Sequence, residues 1–365
     1  METERLSDLP SLLLDWYRTN ARDLPWRHTR DPYQIWVSEI MLQQTRVAAV
    51  LGYYERFLAA FPTVEALAAA PEEDLLSLWQ GLGYYSRARN LHRAAKEAAE
   101  SGGIPGTYTE LRKLPGIGAY TAAAIASAAY GEPAAAVDGN VLRCMARILD
   151  DHAPSDTPAF QTRIRGLLEG LFPAKEEDIR IFNQSLMELG ATVCVPNGEP
   201  KCGDCPVRAL CLGCQRGTAI DLPVRREKKA RRIEDRTVLV FLRGNRTALR
   251  KRPDRGLLAG LWEFPNLSGA LDERDAAQIA ASWGLRVTAW RSRMEAKHIF
   301  THVEWHMTGY VVDAEGEGPF RWADREELET LAVPSAFVRF RTAASDALRN
   351  PAPDSSAEGM REASE

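Results

Sequence analysis

The chain has 365 residues, 45% of them hydrophobic and 26% charged, and a formal net charge of −4. That length favours two globular domains, and the slight acidity excludes a protein that coats nucleic acid by bulk charge, so any DNA contact must be local. Residues 1–10 carry Glu2, Glu4, Arg5 and Asp8 with no apolar core, so they do not read as a signal peptide, and no apolar run reaches membrane-spanning length.

A cytoplasmic, nucleoid-associated protein without a membrane partner is therefore expected, and there the six cysteines suit metal better than disulfides. Residues 7–20 read as an amphipathic helix ending before the stiff loop Leu24-Pro25-Trp26-Arg27. Asp31-Pro32 is a helix start, an N-cap followed by proline at the first helical position, and the helix is expected to run to Gln44. It is apolar nearly all round. Glu39 shares a face with Ile35, Trp36 and Gln43, and a carboxylate there either pairs with a cation or is held protonated by desolvation. No cation lies within a turn on that face, so Glu39 is the candidate general acid, with a buried ion pair as the plain alternative.

Helices are expected at 47–61 and 71–80, the second ending at Gly81-Leu82-Gly83-Tyr84-Tyr85. Tyr84 then sits either on a wedge that prises base steps apart or on a glycine C-cap folded back on the core. Arg87, Arg89, His92 and Arg93 form a basic helix start suited to phosphates, or simply a solvated face.

Next comes Leu114-Pro115-Gly116-Ile117-Gly118-Ala119-Tyr120-Thr121, followed by small residues to Ala129. Pro115 stops one helix, Gly116 and Gly118 permit a tight turn, and the N–H groups at the next helix start are open to a phosphate oxygen. A short glycine turn between helices is also common without any ligand. Asp138, before Gly139-Asn140-Val141, suits a helix N-cap, and helices are expected to Asp150, over 158–172 and over 176–191.

Cys194, Cys202, Cys205 and Cys211 are separated by seven, two and five residues in a Pro/Gly-rich loop, a density that points to a metal centre. The competing reading is zinc on the pairs Cys202/Cys205 and Cys211/Cys214, with Cys194 free. Cys144 reads as core. Residues 215–235 hold Arg225, Arg226, Lys228, Lys229, Arg231 and Arg232 and read as a basic linker, near DNA or merely a tether. The hydrophobic period then changes to two: residues 237–242, a turn at Gly244-Asn245 and residues 247–251 make a β-hairpin, followed later by a helix over 272–283. Residues 349–365 are Pro/Ser/Glu-rich and expected to be disordered.

The combination of Leu114-Pro115-Gly116-Ile117-Gly118, Val137-Asp138-Gly139-Asn140-Val141 and the cysteine cluster resembles the helix-hairpin-helix DNA glycosylase superfamily, and within it the MutY family. The resemblance implies a mainly α glycosylase domain over 1–214, with an iron–sulfur cluster loop over 194–214. It also implies a Nudix-like α+β domain over 236–348. The cofactor would be a 4Fe-4S cluster on Cys194, Cys202, Cys205 and Cys211, although the family spacing is six, two and five, one residue shorter before the second cysteine. The implied partner is double-stranded DNA containing adenine opposite 8-oxoguanine or guanine, and a monomer is expected.

Cleaving an N-glycosidic bond builds positive charge on the sugar and negative charge on the base, so two carboxyl groups in different protonation states suit it. The family assigns these roles to Glu39, acting at adenine N7, and to Asp138, supported by Asn140. It further implies that Leu24, Trp26, Arg27 and Gln184 line the pocket of an extruded base, while Gln44 and Tyr84 fill the gap it leaves. In the endonuclease III branch a lysine, which forms a Schiff base with the sugar, occupies the place of Tyr120. A tyrosine cannot do this, so a monofunctional glycosylase is expected. The second domain lacks the clustered helix glutamates of a Nudix hydrolase between Asp275 and Gly284 and is expected to read rather than hydrolyse. The family reads 8-oxoguanine with a Phe-Ser-His loop, here Phe300-Thr301-His302. Without the family, Phe300 is a strand residue and His302 a surface histidine. The rival readings are an endonuclease III-like pyrimidine-lesion glycosylase/lyase, a non-catalytic lesion-binding module and a nucleotide pyrophosphatase.

Overall fold

A computed structural model of the chain describes residues 2–227 and 230–349. It divides into two units, Met1–Leu75 with Ser86–Lys228, and Leu76–Tyr85 with Lys229–Glu365. The division falls inside the stretch 215–235 expected as a linker, and the first part of that stretch is bonded to the first unit. Arg147 donates to the Leu222 carbonyl at 2.9 Å and Ser155 N–H to the Val224 carbonyl at 2.9 Å, which ties residues 222–226 to the first unit. From Arg232 onward the chain is already a strand. The tail expected from 349 lies outside the described residues, except Arg349, which closes a helix.

The first unit is helical throughout. At its centre the helix Ala119–Tyr130 is built of small residues, and everything from Thr121 to Ala129 is buried. Small side chains let neighbouring axes approach closely, so both Pro32–Leu42 and Glu176–Thr192 pack directly on it. Gly131, at φ +71°, ends this helix in the left-handed conformation of a glycine C-cap.

The helix Pro32–Leu42 begins as its sequence dictates, with the Asp31 side chain accepting the Tyr33 N–H at 2.8 Å. It stops at Leu42, two residues short of Gln44, because a guanidinium takes its terminal carbonyls. Arg87 donates to the carbonyls of Ile40, Met41 and Gln43 at 2.7, 3.0 and 2.5 Å. The expectation that this basic helix start faces phosphates is thereby corrected for two of its members. Arg87 and His92 are buried inside the unit, while Arg93 remains exposed and Arg89 pairs with Glu72.

The second unit is a mixed seven-stranded sheet of order β3-β2-β1-β6-β5, with β4 paired to β1 and β7 to β2. The strands are β1 Arg232–Arg243, β2 Arg246–Lys251, β3 Trp262–Glu263, β4 Asn266–Ser268, β5 Arg286–Ile299, β6 Val303–Glu315 and β7 Arg321–Ala323. β1 and β6 run parallel at the centre, and the other pairs are antiparallel. Residues 238–242 are all buried because successive side chains enter opposite cores. Val238, Val240 and Leu242 meet Phe337 and Phe340 on one face, and Leu239 and Phe241 meet Ala276 and Ala280 on the other. Gly309 on β6 is required by this packing, since a Cβ there would collide with the Phe340 ring.

Candidate active site

The first unit holds a cavity of about 520 Å³ where several helix ends converge. It brings together Leu24, Trp26, Arg27, Glu39, Gln44, Tyr120, Asp138, Asn140 and Gln184, sequence candidates drawn from distant parts of the chain. Glu39 is delivered by the helix Pro32–Leu42 and Tyr120 by the first turn of Ala119–Tyr130. The Tyr120 hydroxyl donates to Glu39 Oε2 at 2.6 Å.

Desolvation pushes the Glu39 carboxyl up to about 7. The Tyr120 hydrogen bond opposes that rise, the Asp138 charge adds to it, and the Arg27 charge opposes it. Glu39 therefore carries a proton over a substantial part of the neutral range.

Asp138 is held differently. It is the N-cap of Gly139–Leu149 and accepts the Val141 N–H at 2.7 Å and the Asn140 side-chain amide at 2.9 Å. Burial raises its carboxyl, and those two donors together with the Arg143 charge work against the rise. Arg143 fixes the donor in turn, reaching Asn140 Oδ1 at 2.8 Å, the Gly190 carbonyl at 2.6 Å and the Cys194 carbonyl at 2.8 Å. The extended stretch leading into Asp138 is pinned by Asn183, which accepts the Ala136 N–H at 3.0 Å and donates to the Ala134 carbonyl at 2.8 Å. Gly190 leaves room for the turn, because a Cβ there would stand 2.7 Å from Asn140 Cβ.

Glu188 is absent from the sequence candidates, yet it organises one wall. Its buried carboxylate accepts from the Arg22 backbone at 3.0 Å, from Arg22 Nε at 2.7 Å and from Arg27 Nη2 at 2.6 Å. Burial alone would raise this carboxyl, but the hydrogen bonds from the two arginines outweigh it and hold it at about 2. Gln184, one turn earlier on the same helix, accepts the Tyr17 hydroxyl at 2.6 Å. The four-residue spacing of Gln184 and Glu188 was visible in the sequence, but Arg22 and Arg27, which identify its meaning, lie more than 150 positions away along the chain.

Other candidates lie outside this cavity. In the hairpin only Gly116 uses glycine's conformational freedom: it has φ +75°, and a Cβ would stand 2.5 Å from Asn90 Cβ. Gly118 instead caps Ala119–Tyr130 with no side-chain hydrogen bond, and a Cβ on it would meet open space. Tyr84, grouped with the second unit, is 49% exposed at φ +49°. In the second unit Phe300 follows β5, makes a T-shaped ring contact with Trp305 at 4.9 Å between centroids, and places its N–H on the Val303 carbonyl at 2.8 Å. Phe300 thus anchors a tight hairpin tip instead of standing in a strand, and Thr301 and His302 project from it into solvent.

All six cysteines line a second, small pocket, with Arg147 donating to Cys194 Sγ at 3.3 Å. Cys144 is core, as expected, and lines this pocket beside Cys194. Among the described residues, no group of three or more His, Cys, Asp or Glu side chains is arranged to hold a metal ion. Thiols around one pocket are the donor type an iron–sulfur cluster takes.

Residues 37–167 match the HhH-GPD superfamily of base excision DNA repair proteins, and residues 237–343 match the NUDIX domain. The human adenine DNA glycosylase is 36% identical over 90% of this chain and 72% of its own length. The chain belongs to the adenine DNA glycosylase family. A family relative from Buchnera aphidicola subsp. Baizongia pistaciae is 32% identical over 82% of this chain and 83% of its own. Among solved structures, a thermostable thymine-DNA glycosylase superposes on 58% of the chain and 98% of its own with a TM-score of 0.53 and 31% identity. An endonuclease III–DNA complex, at 23% identity and a TM-score of 0.50, shows the same fold. As a family member the chain is a DNA glycosylase, an enzyme acting on N-glycosyl bonds, with a helix-hairpin-helix domain and a Nudix-like domain.

Proposed function

We propose that this glycosylase hydrolyses the N-glycosidic bond of adenine paired with 8-oxoguanine or guanine, and that the cavity around Glu39 does so on a base swung out of the duplex. The observation that carries the reading is the pair of unlike carboxyls in one cavity. Glu39, pushed up to about 7 by burial, holds a proton to give, and Asp138 is supplied with two donors that favour its anion.

Glu39 gives its proton to the adenine, at N7, as the bond to the sugar breaks, and Tyr120 keeps the carboxyl oriented through its 2.6 Å hydrogen bond. Asp138 stabilises the oxocarbenium-like sugar, and water completes the hydrolysis. Arg22, Arg27 and Glu188 give the pocket a fixed polar wall against which a purine edge can bond, and Leu24 and Trp26 supply its apolar side. No amine stands at Tyr120, so the sugar is not captured as a Schiff base and the backbone stays intact. Gly116, Gly118 and the helix start behind them take a phosphate, Gln44 and Tyr84 occupy the space the base vacates, and Phe300, Thr301 and His302 read the opposite base.

Cys194, Cys202, Cys205 and Cys211 would hold a 4Fe-4S cluster. Such a cluster supplies a rigid, DNA-positioning fold element rather than a reacting group.

Incubation of an end-labelled duplex with adenine opposite 8-oxoguanine, analysed with and without alkali, tests the reading. Strand breaks are expected only after alkali, and Glu39→Gln is expected to lower base release by about 10²–10⁴-fold with duplex binding kept. Breaks formed without alkali at the rate of base release would favour the endonuclease III-like lyase, and absence of base release from the wild type a binding module.

A further inference from the structure

The cysteine pocket holds more thiols than a four-ligand cluster uses. Cys214 sits in the short helix Leu212–Arg216, three residues after Cys211, and lines the same pocket as the four expected ligands. Its thiol neighbours that of Cys202 in this pocket. Two features press it there. Gly213 packs so closely on the Gly139–Leu149 helix that a Cβ would stand 2.6 Å from the Arg147 carbonyl oxygen, and the Gln215 N–H is bonded to the Cys211 carbonyl at 3.1 Å. Cys202, in contrast, closes the loop 195–201, which is one residue longer than the family spacing and contains Gly198 and Pro200.

We propose that Cys214 is a reserve ligand of the cluster and takes the place of Cys202 on iron when the Cys202 sulfur is lost. The exchange is not a redox step. The Cys214 thiol releases its proton to solvent as its sulfur binds iron, and the departing Cys202 thiolate takes one up, so the charge of the ligand set is unchanged. The Cys202–Cys214 contact means that a side-chain rotation brings one sulfur to where the other stood. Cys205 is assigned no such reserve.

The inference rests on the iron–sulfur reading of the pocket, and the experiment separates the two. Wild type, Cys202→Ala, Cys205→Ala, Cys214→Ala and Cys202→Ala/Cys214→Ala are purified without oxygen and compared by iron content and visible absorbance. The wild type is expected to carry about four iron atoms per chain, Cys202→Ala to stay within about twofold of it, and Cys205→Ala and the double variant to lose most of theirs. Equal iron in Cys202→Ala and the double variant overturns the proposal. Should Cys202→Ala fail to fold, the rate at which a chelator strips iron from Cys214→Ala and from wild type decides. A rate raised by about threefold or more supports the reserve ligand, and equal rates overturn it. A colourless or zinc-loaded wild type would remove the cluster reading itself and this inference with it.

Discussion

A glutamate in an apolar helix and an aspartate before Gly-Asn are ordinary residues made unlike by what surrounds them. Glu39 has one hydrogen-bond donor, Tyr120, and a largely desolvated setting, so its proton is retained. Asp138 has backbone and amide donors fixed by Arg143, so its anion is supported. Both were legible in the sequence because their signals are local: an acid without a cation on its own helix face, and an N-cap pattern.

Glu188 was not legible, because a single acid on an amphipathic helix says nothing until Arg22 and Arg27 fold against it. Its role is testable through pH. A carboxyl held at about 2, below its ordinary 4.5, contributes stability that is present above 4.5 and lost as pH falls toward 2. Glu188→Gln is therefore expected to flatten the acid limb of the stability curve, and at neutral pH to cost on the order of 1–3 kcal/mol by thermal unfolding. An unchanged acid limb would mean that Arg22 and Arg27 do not depend on this anion.

At the scale of elements, what sets the geometry is where helices are allowed to touch and where they end. The small residues of Ala119–Tyr130 could be read from the sequence as a tightly packed helix, and they are its buried centre. The end of the Glu39 helix could not. Arg87 looked like a phosphate ligand because its neighbours are basic, but its guanidinium meets carbonyls from another helix, a contact that no local pattern encodes. Gly190 is a second such contact, invisible in a helix that simply tolerates a glycine. Gly190→Ala is expected to push Asn140 off Asp138 and to lower single-turnover base release by about tenfold or more, with near-wild-type helix content by circular dichroism. Wild-type rates would show that the Asp138 turn has slack.

At the scale of the molecule, the change from helical to alternating periodicity near residue 237 announced a second, sheet-based unit, and the alternating cores of β1 account for its unbroken apolar run. The units part inside the stretch 215–235 read as a linker, but the local structure of that stretch was not legible. Residues rich in arginine read as a tether, yet Arg226 bonds Asp156 and Arg232 opens β1, because arginines satisfy carbonyls and carboxylates as readily as water does. Under the proposed function, the solvent-facing Thr301 and His302, beside the packing of Phe300 on Trp305, are the residues with which the second unit would read the opposite base. His302→Ala is expected to reduce the preference for 8-oxoguanine over guanine opposite adenine several-fold in paired excision rates while leaving thermal stability unchanged; an unaltered preference would place the reading of the opposite base elsewhere.

The central claim, that a neutral Glu39 and an anionic Asp138 act together, is tested most directly by the single-turnover rate of adenine release measured across pH. A carboxyl raised to about 7 is protonated below that value and loses its proton above it, so the rate is expected to fall as pH rises through about 7. It should fall again on the acid side as Asp138 takes up a proton. A rate that stays level or climbs from pH 6 to pH 9, on the order of one unit or more either side of that midpoint, would contradict Glu39 as the proton donor.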